Sequence, residues 1–150
     1  MAIERILCAV DGTPASRRAS EVALDLAQPA DAEVIFFHAS AEDMDRLIIE
    51  NPFTTDTDEK LAAEVPVLGE ASRLAADRGV RATLHLVGDD AASAVISSIV
   101  ATAHSRDAGL IVVGSRELRG VRKALLGSVS EGVVREANVP TVIVHPPHYL

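Results

Sequence analysis

The chain carries one cysteine, Cys8, so no internal disulfide can staple its fold. Its place in an apolar stretch suits a small buried thiol in a reducing compartment. Positive charge is also short: 14 lysines and arginines stand against 22 aspartates and glutamates, a formal net charge of -8. A surface of that sign opposes nucleic-acid and anionic-membrane binding, which need a basic face. Long apolar runs are missing too. The first apolar stretch, Ile3 to Val10, is broken by Glu4 and Arg5 and has no cleavage-site pattern. It reads as a strand rather than a signal peptide or membrane span, and a cytoplasmic protein is expected. Several catalytic signatures are absent as well. No Lys-Ser or Lys-Thr pair follows a glycine loop, no Gly-x-Gly-x-x-Gly follows the first strand, and there is no His-x-Gly-His. A phospho-acceptor receiver would need an acidic pair at the first strand end, where Asp11 stands alone before Gly12. The histidines His38, His85, His104, His145 and His148 show no metal-ligand spacing on a shared face except for His145 and His148, where Pro146-Pro147 opposes a chelating turn, so no metal site of protein ligands alone is expected.

What is present points to an ordinary core. With 150 residues, 48% apolar and 24% charged, the chain has the size of one domain. Apolar runs alternate with helix-period segments, the pattern of repeated strand-helix units around a parallel sheet. Five strands are expected: Arg5 to Val10, Glu33 to Ala39, Val80 to Val87, Leu110 to Gly114 and Thr141 to His145. A first helix starts after the cap Thr13 and Pro14, buries Ala15, Ala19, Val22, Ala23 and Leu26, and stops near Gln28-Pro29. A second falls within Glu59 to Arg78 and ends at Gly79, with Pro66 kinking it or delaying its start. A third follows Asp90 as cap and buries Ala92, Val95, Ile96, Ile99, Val100 and Ala103. A fourth runs from Ser128 to near Asn138, and the polar stretch Ser40 to Asp58 reads as a lid or disorder.

The third strand alternates apolar with polar residues, as an edge strand does, while the first, second and fourth do not. Right-handed crossovers then give an α/β, doubly wound, five-stranded parallel sheet of order 3-2-1-4-5 with helices on both faces. Ligands bind such sheets where the strand order reverses, beyond the carboxyl ends of the first and fourth strands. The residues expected there are Asp11-Gly12-Thr13 and Gly114-Ser115-Arg116. Farther on, Gly127 precedes Ser128-Val129-Ser130-Glu131, whose serine and glutamate have capping-box spacing. A helix start of that kind favours anions. The basic cluster Arg116, Arg119, Arg122 and Lys123 lies between the two glycines. The fifth strand is an apolar edge, and an uncovered one invites a homodimer through Thr141 to His145; coverage by the tail is the alternative.

Over its full length the chain resembles the universal stress protein family. Four pieces carry the resemblance: Val10-Asp11-Gly12-Thr13, His38-Ala39, Val87-Gly88-Asp89, and Gly114-Ser115-Arg116 with Gly127-Ser128. In the ATP-binding branch of that family glycine, two residues, glycine, nine residues, glycine and then serine or threonine form the nucleotide loop. Gly114, Gly127 and Ser128 fall on this spacing, and Glu117 stands where the middle glycine belongs. The resemblance implies ATP, with magnesium or manganese, as ligand. It has Asp11 accept from the ribose or adenine side, Ala39 and Val87 line an adenine pocket, Gly114 admit the backbone to ribose and phosphates, and Gly127 and Ser128 bind the triphosphate. It implies a stress-response switch acting on a regulatory protein partner; its non-ATP branch implies a nucleotide-independent interaction protein, and a slow ATPase is the enzyme alternative. Singly, each residue also has a local role open to it: Asp11 as a turn cap, Gly114 and Gly127 as turn formers, Ser128 with Glu131 as a helix cap.

Glu117 sets an expectation of its own. Two unit charges about 4 Å apart at an effective dielectric near 20 repel by ~4 kcal/mol, an upper bound that solvent screening reduces. Glu117→Gly is therefore expected to bind ATP more tightly in equilibrium dialysis. Equal or weaker affinity would show that position 117 does not limit the site.

Overall fold

A computed structural model describes residues 2–50, 57–89, 91–115 and 128–147, with Ser128 as backbone only. The expectations attached to Asp90, Arg116, Glu117, Arg119, Arg122, Lys123 and Gly127 lie outside the described residues.

The elements run in the order β1 (Arg5–Ala9), α1 (Pro14–Ala30), β2 (Glu33–Ala39), α2 (Ala41–Glu50), α3 (Asp58–Glu64), α4 (Pro66–Asp77), β3 (Ala82–Val87), α5 (Ala92–Ser105), β4 (Leu110–Gly114), α6 (Ser128–Glu136) and β5 (Thr141–Val144). The five strands form one sheet of order β3-β2-β1-β4-β5, as the alternation of the third strand requires. Every pairing is parallel, and Cys8 sits opposite Phe36 on one side and Val112 on the other.

Successive side chains of the central strands point to opposite faces, so each face has its own apolar layer. Ile6, Cys8, Val34, Phe36 and Val112 pack with α1 and α4, whereas Leu7, Phe37, Ile111 and Val113 pack with α5 and α6. Both faces are covered, which is why the central strands are apolar throughout. Burial pushes the Cys8 thiol up to about 12, only partly opposed by a hydrogen bond from Ser20. The thiol is therefore held neutral and unreactive in the folded protein.

Local sequence explains most element ends. Thr13 caps α1 by accepting from Ser16 N–H at 3.2 Å, and Pro14 occupies the first turn, where its missing N–H costs nothing. At its other end α1 continues through Pro29 to Ala30, beyond the expected stop, because the chain leaves the helix only at Asp31, whose φ of 51° is left-handed. Leu26, expected in the core, is 43% exposed, and Leu24 takes the buried position. The second expected helix is two helices, α3 and α4. Val65 between them is extended (φ -112°, ψ 101°) because Pro66 disfavours the helical region for the residue before it.

The stretch expected as a lid or disorder contains α2. Ser40 accepts through its side chain from Asp43 N–H at 3.1 Å, Glu42 and Asp43 suit the positive helix end, and Leu47 is buried. Arg46 joins α2 to α3 by pairing with Asp43 at 3.0 Å and donating to the Glu64 carbonyl at 2.6 Å. At α5 the cap position is Ala91, and the Asp89 carboxylate accepts from Ala91 N–H. Ala92 is exposed rather than buried. Glu131, in the first turn of α6, pairs with Arg135 at 3.0 Å. Smaller shifts place the end of the first strand at Ala9, the start of the third at Ala82 and the end of the fifth at Val144.

His85 lies on the edge strand β3 and stacks on Phe37, ring centroids 5.6 Å apart. Burial lowers its pKa, Arg106 lowers it further, and Asp58 opposes both. The neutral imidazole is thus favoured in the folded state, and its contribution to stability is complete above the ordinary histidine value. That contribution is lost as pH falls through the depressed folded value. Urea unfolding is expected to show stability falling on acidification below about pH 6.5, the ordinary histidine value, less steeply in His85→Phe. An unchanged slope in the variant would remove His85 as the cause.

Candidate functional site

At the carboxyl ends of β1 and β4 the crossovers leave on opposite sides, and a cleft of about 480 Å³ opens between α1 and the α5–α6 layer. One wall is apolar and comes from β2, α5 and the strand ends: Ala9, Phe37, Ala39, Val95, Ile99 and Val113. Its margin is polar, with Asp11, Thr13 and Ser16 from the β1–α1 turn, Ser115 after β4, and Ser130 in the first turn of α6. Val10, Pro14, Ala15, Ala92, Gly114, Val129 and Pro146 complete it. The volume and the mixture suit a small ligand with a flat apolar part and a polar part.

The β1–α1 turn is tightly specified. Asp11 accepts through Oδ1 from Thr13 N–H at 3.0 Å and from the Thr13 hydroxyl at 2.6 Å, and its own N–H donates to Ser16 Oγ at 2.8 Å. Gly12 supplies the left-handed residue of this turn, with φ of 82°. It faces away from the cleft, onto a void of about 20 Å³ under the Arg17–Glu70 ion pair. Thus Asp11 is both a turn cap and a cleft residue, with Oδ1 committed to the first role.

Gly114 is required by closeness rather than by turn geometry. A Cβ there would stand 2.8 Å from the Ala15 carbonyl carbon and 2.9 Å from Ser16 N. The next residue, Ser115, is buried, donates through its N–H to the Val144 carbonyl at 2.8 Å, and places Oγ 3.0 Å from His145 Nδ1. At the far side His38 donates from Nδ1 to the Val10 carbonyl at 2.8 Å, with Nε2 3.6 Å from Asp43. This contact fixes the ends of β1 and β2 against α2.

Of the residues proposed from sequence, Val10, Asp11, Thr13, Ala39, Gly114, Ser115, Val129 and Ser130 meet at the cleft. Val87 and Gly88 do not line it, and a Cβ on Gly88 would meet Met44 of α2 at 2.9 Å. Ser128 begins α6. Phe37, Val95, Ile99, Ser16 and Ala92 line the cleft and carry no loop motif. The signals for Phe37, Val95 and Ile99 were the unbroken apolar run of β2 and the helix period of α5, and Ser16 and Ala92 had none. Among the described residues no group of three or more histidine, cysteine, aspartate or glutamate side chains is placed to hold a metal ion. Among them, too, no helix is long and apolar enough to cross a membrane.

A doubly wound parallel sheet of this order, with its cleft at the point of reversal, defines a Rossmann-like α/β protein. Within that class the sequence decides: the profile of the Universal stress protein family matches residues 2–145, and the chain belongs to that family. It is 30% identical to the universal stress protein YxiE of Bacillus subtilis, over 93% of this chain and 97% of that one. It is 26% identical to the universal stress protein MJ0531 of Methanocaldococcus jannaschii, over 96% and 83%. Its fold is similar to that of a universal stress protein in complex with cAMP, at a TM-score of 0.70 and 23% identity over 98% of this chain and 100% of the other. The universal stress protein from Archaeoglobus fulgidus in complex with dAMP aligns at 0.65 and 24% identity, over 96% and 99%.

Proposed function

We propose that the chain is a cytoplasmic regulatory protein that binds an adenine nucleotide in the cleft and acts through a nucleotide-dependent change in the surrounding loops. The observation that carries this reading is the division of the cleft into an apolar wall and a polar margin at the sheet's reversal point. A base suits the wall of Phe37, Ala39, Val95 and Ile99. The free oxygen of Asp11 suits a ribose hydroxyl, and the positive end of α6 suits phosphate. The similar folds with cAMP and dAMP support an adenine ligand. ATP is the nucleotide favoured by the spacing of Gly114, Gly127 and Ser128, with magnesium or manganese carried on its phosphates. The reading is of a switch that a partner protein senses, not of a catalyst.

Equilibrium dialysis tests it with ATP and magnesium, and with AMP alone. Saturable binding of at least one below millimolar concentration, lost in Ala39→Trp, is the expected result. No saturable binding of either would replace this reading with a second one that β5 favours. That strand ends the sheet with Thr141, Val142 and Ile143 only half-buried, an edge suited to pairing with another copy. The protein would then be a nucleotide-independent homodimer, seen as a dimer in sedimentation equilibrium and as a monomer in Ile143→Lys.

A further inference from the structure

The Ser115–His145 contact is not used by the reading above. Ser115 lines the cleft at 2% exposure, whereas His145 follows β5 on the exposed side and does not line it. Both are held by their backbones: Ser115 N–H donates to the Val144 carbonyl at 2.8 Å, and Arg18 donates to the His145 carbonyl at 3.3 Å. Their side chains stand 3.0 Å apart, Oγ to Nδ1.

A serine hydroxyl has one proton to give and lone pairs to offer. When Nδ1 accepts, the serine proton is spent on the imidazole, and Oγ turns only lone pairs to the cleft. An anionic ligand oxygen is repelled by that arrangement. In an imidazolium both ring nitrogens carry hydrogen, so Nδ1–H must donate to Oγ. The serine O–H is then released toward the cleft, with a positive charge directly behind it. From the neutral tautomer that carries its hydrogen on Nε2, one proton on the histidine reverses what the serine presents.

We infer that His145 is a positioning residue that sets the polarity of Ser115, so that the protonated pair takes the phosphate part of a bound nucleotide. This rests on the adenine-nucleotide reading of the cleft. The charged groups on the packed elements are few among the described residues. Arg18 of α1 meets the His145 carbonyl, Glu131 and Arg135 of α6 pair with each other, and Asp11 across the cleft is tied to Thr13. His38, the other histidine beside the cleft, has Nδ1 committed to the Val10 carbonyl and Nε2 turned to Asp43.

Cyclic AMP and adenosine test the inference, because a phosphodiester keeps one negative charge across the range in which histidines generally titrate, and adenosine has none. Dissociation constants for both are measured by calorimetry from pH 8 to pH 5.5. In the unaltered protein, cyclic AMP is expected to bind about fivefold to tenfold more tightly at the acid end, the gain from replacing a neutral hydrogen bond by a charge-assisted one. Adenosine affinity stays level. His145→Gln and Ser115→Ala should each flatten the cyclic AMP profile, and His145→Gln, outside the cleft lining, should leave adenosine binding as it was, which a merely structural contact would not do. A protein that binds neither ligand overturns the nucleotide reading and this one together. If both ligands bind but with the same pH profile, or if the acid preference survives in His145→Gln, this inference alone falls.

Discussion

Phe37→Ala is expected to lower stability by ~3–5 kcal/mol, the usual range for emptying a buried aromatic site. It should also weaken adenine-nucleotide binding by about tenfold or more, through loss of apolar wall contact. Phe37 is 1% exposed, belongs to the apolar layer of Leu7, Ile111, Val95 and Ile99, and lines the cleft. Its neighbour provides the control. Phe36 is fully buried in the layer on the other face, with Cys8 and Val112, and does not line the cleft. Phe36→Ala should therefore cost a similar amount in urea unfolding, yet leave ligand affinity in the folded fraction unchanged. If both variants lose affinity equally, the loss follows global stability and Phe37 has no separate role in the cleft.

The second large effect belongs to Gly114. Alanine there puts a methyl group against the backbone of Ala15 and Ser16, where no side-chain rotation can relieve it. Overpacking of this sort costs ~1–3 kcal/mol, and its relief must move the start of α1 or the end of β4. Either movement displaces Asp11 and Thr13 relative to Ser115, so ligand affinity is expected to fall by about tenfold, the consequence of a misplacement near 1 Å. Gly79→Ala is the comparison. That glycine has φ of 66° but no atom within 4 Å of the added Cβ. It should lose ~1 kcal/mol through backbone strain alone and bind ligand normally. Calorimetric titration of both variants separates the two outcomes, and normal binding in Gly114→Ala would mean that the cleft tolerates the shift.

The strand order was readable because burial leaves a mark on composition. A strand covered on both faces has no polar phase, and β3 shows one: Thr83 meets Glu33 and Arg106, and two residues on His85 stacks on Phe37. The start of α1 was readable because Thr13 and Pro14 act locally. What escaped was set by competition between neighbours. Leu24 and Leu26 lie on either side of the boundary of the buried stripe, and packing against the sheet selects Leu24. In the Ser40 to Asp58 stretch the acidic residues masked the helix period of α2, although Ser40, Glu42 and Asp43 make a good helix start. The cleft divides in the same way. Residues next to strand ends were found by position, whereas Phe37, Val95 and Ile99 come from element interiors and meet only through the fold.

The buried stripe of α1 consists of Ala15, Ser16, Ala19, Ser20, Ala23 and Ala27, with Leu24 as its one large member. Alanine has no rotamer to change and serine little volume to move, so this contact cannot adjust by rearranging side chains. Its stiffness runs the length of the helix. A ligand that pulls on the α1 end at Thr13 would displace the helix as a rod, and the far end at Asp31 would register the motion.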